Sequence, residues 1–275
     1  MNDVSLKAKI NNLSKISGTS PQATLQIYLM TRFLKRISLS NYKNVFVVKG
    51  GMLISSIVGI DQRTTMDIDI TVIDYPLKNK TIENALIEIS KIITNDEIVF
   101  EYLDINPIRK DDEYGGYRAN FHVKFGRINV PFYIDISSGD TITPGASPHI
   151  FRDIIDREDS FVLNSYPIET ILAEKIESIL SKSVDNTRAR DFYDIYTLSL
   201  FDYDRRILNE ALINTCKHRN TIKQLENSKQ ILEMIERNKE INVVWNNYVN
   251  KFNYACGIKL SEVINIIFEM ISNQN

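Results

Sequence analysis

Apolar residues recur at three- and four-residue steps through Leu25, Tyr28, Leu29, Phe33 and Ile37, and residues 4–38 read as helical. Ser20 followed by Pro21 supplies an N-cap and first-turn pair within that stretch. The period then shortens. Residues 45–49 form an apolar, β-branched block that stops at Gly50-Gly51, the pattern of a buried strand ending in a tight turn. Residues 52–58 read as a short helix, 66–73 as an alternating strand and 81–94 as a helix. Strands are expected at 97–105, 117–125 and 128–137, the last two joined by a tight turn near Gly126-Arg127. From about residue 165 the helical period returns, with helices expected at 167–182, 187–201, 204–219, 222–238 and 259–272. The Gly/Pro/Ser-rich stretch 137–148 suits a boundary or a mobile loop beside an active site. The expected fold class is α/β (α+β). A mixed sheet with N-terminal helices spans 1–150, and a helical domain follows over 151–275.

Composition narrows the classes. The 275 residues are 43% apolar and 25% charged, which fits a globular chain able to bury a core. Basic and acidic residues, 33 and 35, nearly cancel to a net charge of −2, so nucleic acid is not drawn by a global field and must use a local patch. Cys216 and Cys256 are far apart and His122, His149 and His218 are scattered, which argues against a disulfide framework or a local zinc site. Apolar runs are too short to span a membrane, and Met1-Asn2-Asp3 does not begin a signal pattern, so a cytoplasmic location is expected.

The candidate chemistry starts at Asp67-Ile68-Asp69. On a strand, residues two apart share a face, so both carboxylates project together while Ile68 and Ile70 face the core. Two like charges side by side repel unless a cation lies between them, and oxygen ligands on a rigid strand suit Mg²⁺. An exposed strand face that happens to carry two acids is the plainer explanation. Context weighs against it. Upstream, Gly50-Gly51 closes a strand and opens a helix, where backbone amides can hold phosphates. Asp135, in the apolar run Phe132–Ile136, is a third acid that can complete the ligand set or deprotonate an attacking hydroxyl; equally, it can be a strand-end acid beginning a turn.

Two helical anomalies follow. Lys175 falls in the middle of the stripe formed by Ile168, Ile171, Leu172, Ile176, Ile179 and Leu180, so its ammonium must leave the core edge or meet a buried anion. A triphosphate is one such anion, and an internal salt bridge with Asp191 is the other. Asp191 and Asp194 also lie on apolar faces, shared with Ile195, Leu198 and Phe201, and need partners such as Lys175, Arg188 or Arg190.

Gly50-Gly51 with Arg63-Thr64-Thr65-Met66-Asp67-Ile68-Asp69 resembles the first motif of the AbiEii/AbiGii nucleotidyltransferase-like toxins. Leu172-Ala173-Glu174-Lys175 resembles their helical lysine motif, and Arg190-Asp191-Phe192-Tyr193-Asp194 the arginine–aspartate motif after it. The resemblance runs from roughly residue 45 to 200. It implies a DNA-polymerase-β-like nucleotidyltransferase core with a helical C-terminal domain, in a toxin paired with an antitoxin and linked to phage abortive infection. It further implies NTP use, GTP in some members, and the tRNA 3′ end as acceptor. By carry-over Asp67 and Asp69 bind Mg²⁺ or Mn²⁺, Lys175 contacts the triphosphate, and Asp191 is the essential helical acid. One departure stands out: many nucleotidyltransferases have Gly-Ser where this chain has Gly50-Gly51, so a serine contact to phosphate is missing.

The reaction expected is attack of a 3′-hydroxyl on the α-phosphate of an NTP, with pyrophosphate leaving. The alternatives are transfer to a protein or small molecule, and a nucleotide-binding module without catalysis. Lys217, Arg219 and Lys223 form the densest basic run in the C-terminal half and are the expected RNA surface. Arg32, Lys35 and Arg36 on the N-terminal helix are the second choice.

Overall fold

Helix α1 (Asp3–Ser17) stops at Gly18, whose left-handed backbone (φ 67°) caps it, and α2 (Pro21–Leu39) restarts behind Ser20. The Ser20 hydroxyl accepts the Ala23 N–H at 3.1 Å. The continuous helical stretch read from the pattern is therefore two helices, because three residues supply both a C-cap and an N-cap.

In the computed structural model, which describes residues 1–108 and 115–272, the chain divides into two units, each taken separately below. The first holds residues 1–140 and 147–165. Its strands are β1 (Phe46–Lys49), β2 (Ile68–Val72), β3 (Val99–Pro107), β4 (Tyr117–Phe125), β5 (Ile128–Ser138), β6 (Ser147–Arg152) and β7 (Ser160–Ser165). Helix α3 (Gly50–Val58) joins β1 to β2, and α4 (Asn79–Ser90) precedes β3. The sheet order is β3-β4-β5-β2-β1-β7-β6. β2 runs parallel to β5 and β1 parallel to β7; the other neighbours are antiparallel.

One face of the β3–β5 region forms the core under α2. Phe33 projects from that helix onto Phe100, Phe121 and Phe132, with ring centroids 5.0, 5.4 and 5.5 Å away. Ile68, Ile70, Ile134 and Ile136 are fully buried, as strand alternation requires. A charged network ties α2 to the rest of the unit. Arg36 grips Asp96 through 2.7 and 3.0 Å contacts, and Arg32 bonds Asp96, Asp153 and Asp159.

The hairpin of β6 and β7 was not expected from the pattern. β6 is an edge strand in which only Phe151 is buried, and in β7 Leu163 and Ser165 are buried; the apolar Ile150 and Val162 are exposed while Ser165 is buried, so hydrophobicity does not follow the alternation of the strands.

The second unit, residues 141–146 and 166–275, is helical. It contains α5 (Ile168–Lys182), α6 (Ala189–Leu198), α7 (Arg205–His218), α8 (Ile222–Glu226), α9 (Ser228–Arg237), α10 (Lys239–Lys251) and α11 (Leu260–Ser272). The single helix expected over 222–238 breaks at Asn227. Helix α10 lies in a polar stretch outside the expected helices; the Asn238 side chain caps it, accepting the Ile241 N–H at 3.0 Å, and Ile241, Trp245 and Tyr248 bury one face. Among the described residues no helix is long and apolar enough to cross a membrane.

Candidate active site

The turn between β1 and α3 is built around the space its glycines leave. Gly50 adopts φ 67°, and a β-carbon there would run into the Asp69 carboxylate. A β-carbon on Gly51 would lie 2.6 Å from Thr65 Oγ1 and 3.3 Å from an Arg63 guanidinium nitrogen. The two-glycine turn and the Arg63–Asp69 segment are thus one packed object. Ser55 Oγ donates to the Arg63 carbonyl at 2.6 Å, and Thr65 Oγ1 donates to Asp67 Oδ1 at 2.9 Å, which orients that carboxylate. The N-cap residue Lys49 makes no side-chain cap on α3, and the Gly51 backbone N–H of the first turn turns to the Asp69 carboxylate.

Strand register brings the charges together. Lys49 pairs across from Asp69, Asp69 from Asp135, and Asp135 from Arg118. Directly opposed residues share a face, so a row of cation, anion, anion and cation crosses four strands. Asp67 precedes Ile68, the first residue of β2, and lies outside this row, two positions before Asp69 in the chain. Lys49 Nζ donates to Asp140 at 2.6 Å and to Ser137 Oγ at 2.8 Å. Arg118 forms a two-point pair with Asp135, at 2.7 and 2.6 Å.

The electrostatics are those of crowded carboxylates. Burial pushes Asp69 up to about 6, and the charges of Asp67 and Asp135 push the same way, against Lys49 and a hydrogen bond from the Gly51 backbone. Asp140 goes the other way. Burial opposes its ionised form, but the Lys49 ammonium and hydroxyl donors prevail and hold it at about 2.

A hard divalent cation fits this donor set. Asp67 and Asp69 offer oxygens only, and the Asp69 charge lacks full compensation within the protein. Among the described residues no three ligand side chains already converge as a cage. Mg²⁺ does not need one, since it ordinarily takes one or two carboxylates together with water and substrate phosphates. Asp135, the third acid read from the pattern, stands beside Asp69 but has both oxygens on Arg118.

The helical unit brings its own predicted residues together. Lys175 Nζ lies 2.6 Å from Asp191 Oδ1 and 2.8 Å from Asp194 Oδ2. Asp194 is fully buried and Asp191 nearly so. Burial works against the Lys175 ammonium, but the two carboxylates outweigh it and raise its pKa. The internal salt bridge weighed against a triphosphate contact is present.

The family model of the nucleotidyl transferase AbiEii toxin, a type IV toxin–antitoxin system, matches residues 32–256. The chain belongs to this family. The AbiEii match contains every motif discussed above, from Gly50 to Asp194. Two crystal structures from Helicobacter pylori share the fold. JHP933 superposes with a TM-score of 0.50 at 16% identity, covering 92% of this chain and 91% of that one. A protein described as a candidate nucleotidyltransferase gives 0.50 at 17% identity, covering 92% and 94%. No curated protein sequence matches the chain.

Three site residues escaped the sequence reading: Lys49, Arg118 and Asp140. Lys49 directly precedes the glycine pair and was within reach of a local reading, whereas Arg118 enters only through the long-range β4–β5 register. Of the expected RNA-binding residues, all three are exposed and one is also ion-paired. Arg219 is held by Glu174 and Glu177 at 2.8 and 2.7 Å, while Lys217 and Lys223 are exposed. Arg32 and Arg36 are buried in ion pairs, so the second-choice basic helix does not offer them to phosphate.

Proposed function

We propose that this AbiEii-family enzyme transfers a nucleotidyl group from an NTP to an acceptor hydroxyl, with Asp67 and Asp69 holding Mg²⁺ or Mn²⁺ against the triphosphate. The observation that carries the reading is the Asp69 carboxylate, crowded by Asp67 and Asp135 and packed against a two-glycine turn at the start of α3. The cation would neutralise charge on the attacking and leaving oxygens. Gly50 and Gly51 let the backbone approach the phosphates, and the N-terminus of α3, whose Gly51 N–H already holds the Asp69 carboxylate, favours an anion beside the metal. Asp135 completes the acidic set, as a ligand or as acceptor of the hydroxyl proton. The acceptor oxygen bonds to the α-phosphorus, the bridge to the β-phosphate breaks, and pyrophosphate carries away the electron pair.

Lys175 as a contact to the outer phosphates, with Asp191 as an essential acid, follows the AbiEii resemblance. So do GTP as the nucleotide, the 3′ end of tRNA as acceptor, an antitoxin partner and a role in phage defence, while a cytoplasmic location follows the sequence pattern. Purified protein incubated with each α-labelled NTP, Mg²⁺ and total RNA, beside a protein-only control, tests the reading. Label in RNA of tRNA size supports it. Label in the protein moves the acceptor to a polypeptide, and no label with any nucleotide leaves a binding module without transfer.

A further inference from the structure

We propose that Arg118 is a built-in counter-ion for the nucleotide-free site, and that loading of the site by a divalent cation and triphosphate requires the Arg118–Asp135 pair to open. The proposal rests on the nucleotidyl-transfer reading of the same residues. The fork of Arg118 takes both Asp135 oxygens, through Nε at 2.7 Å and an Nη at 2.6 Å. Each Asp135 oxygen thus gives a lone pair to the arginine, and a metal must compete with that two-point pair for it. Arg118 stands at the end of the charged row, where a positive charge offsets the acids in the way a bound cation would.

The two partners differ in freedom. The Asp135 side chain is 17% exposed and anchored on an interior strand between β4 and β2, while the Arg118 side chain is 47% exposed. The arginine can therefore leave without disturbing the core. Its guanidinium carbon also lies 5.8 Å from the centre of the Tyr133 ring, a resting place for a displaced cation. Phosphate is the other partner that a guanidinium grips at two points. Triphosphate entry thus offers an exchange, in which Asp135 turns from Arg118 to the metal and Arg118 turns from Asp135 to phosphate oxygens. Arg118 is a positioning residue in the closed pair and a ligand contact in the loaded site.

This exchange gives opposite signs for two binding measurements on one variant. In the nucleotide-free protein, Arg118→Gln should bind Mn²⁺ roughly tenfold more tightly than wild type, because a charge-assisted competitor for Asp135 is gone. With Mn²⁺ saturating, the same variant should bind a non-hydrolysable triphosphate more weakly. Arg118→Lys, which keeps the charge but not the fork, should fall between the two for Mn²⁺ and provides a second variant should Arg118→Gln unfold. Unchanged or weaker Mn²⁺ binding by folded variants overturns the proposal and leaves nucleotidyl transfer standing. If Mn²⁺ binds neither wild type nor variant, or binds equally well after Asp67→Asn, the metal assignment fails and this proposal with it.

Discussion

At Gly50 a positive φ and the Asp69 carboxylate together leave no room for a β-carbon. Gly50→Ala should lower stability by about 1–2 kcal/mol from the left-handed backbone alone, and the clash should also move Asp69. Urea denaturation measures the first effect and Mn²⁺ titration the second; a variant as stable as wild type with unchanged metal affinity would mean that the turn tolerates a side chain. Much of this site was legible in the sequence, because it is local. The Asp-x-Asp spacing marks the acidic pair and Gly50-Gly51 announces a turn at a strand end, although Asp67 lies in the bend before β2 and not on the strand expected over 66–73. Arg118 was not legible, because a position 49 residues after Asp69 joins the row only through the pairing of β2 with β5 and of β5 with β4.

Helices α5 and α6 are joined by a charged triad, and its energetics set the outcome of any Lys175 experiment. Removing the ammonium leaves Asp191 and Asp194 facing each other out of water. Lys175→Ala should therefore destabilise the protein by about 3–5 kcal/mol, the usual loss when one partner of a buried pair is deleted. Chemical denaturation reads this directly, and an unchanged midpoint would show that the pair is not structural. A phosphate role would appear separately, as triphosphate affinity falling more than nucleoside affinity in variants that remain folded. The anomaly of a lysine within an apolar stripe was visible in the sequence, but its two partners could not be separated there from a ligand. Helix α2 depends on a second cluster. Burial works against the ionised form of Asp96, but the Arg36 hydrogen bonds and charge outweigh it and hold it at about 2. Its folded value lies below the unfolded one of ~3.9, so the stabilisation is full above pH ~4 and is lost as pH falls towards 2. The contribution is about 2 kcal/mol. Wild-type stability should drop through this window more steeply than that of Asp96→Asn, and parallel curves would remove Asp96 as the cause. Elements with strong periodicity were read correctly, including β4 and β5. The β6–β7 hairpin was not, because its apolar residues Ile150 and Val162 face outward while Ser165 faces inward, and α10 was missed because Asn and Lys dilute its apolar stripe.

For the whole molecule, a net charge of −2 means that any RNA affinity must come from few contacts. Lys217 and Lys223 are exposed, whereas Arg219 is committed to Glu174 and Glu177. If the two lysines touch phosphate, neutralising each should lower the slope of log affinity against log salt by roughly 0.7–0.9. Arg219→Gln should change stability more than that slope, and an unchanged slope after both lysine substitutions would eliminate the patch. The membership of the AbiEii family makes a transferase the central claim, and the phosphate that moves decides it. The most direct measurement follows NTP labelled separately at the α- and γ-phosphates, with Mg²⁺ and RNA, for wild type and for Asp67→Asn and Asp69→Asn. Nucleotidyl transfer by this site predicts α-label in the acceptor, γ-label released in pyrophosphate, and a loss of roughly 100-fold or more in both folded variants. Transfer of the γ-label, or α-label transfer that survives both substitutions, would contradict it.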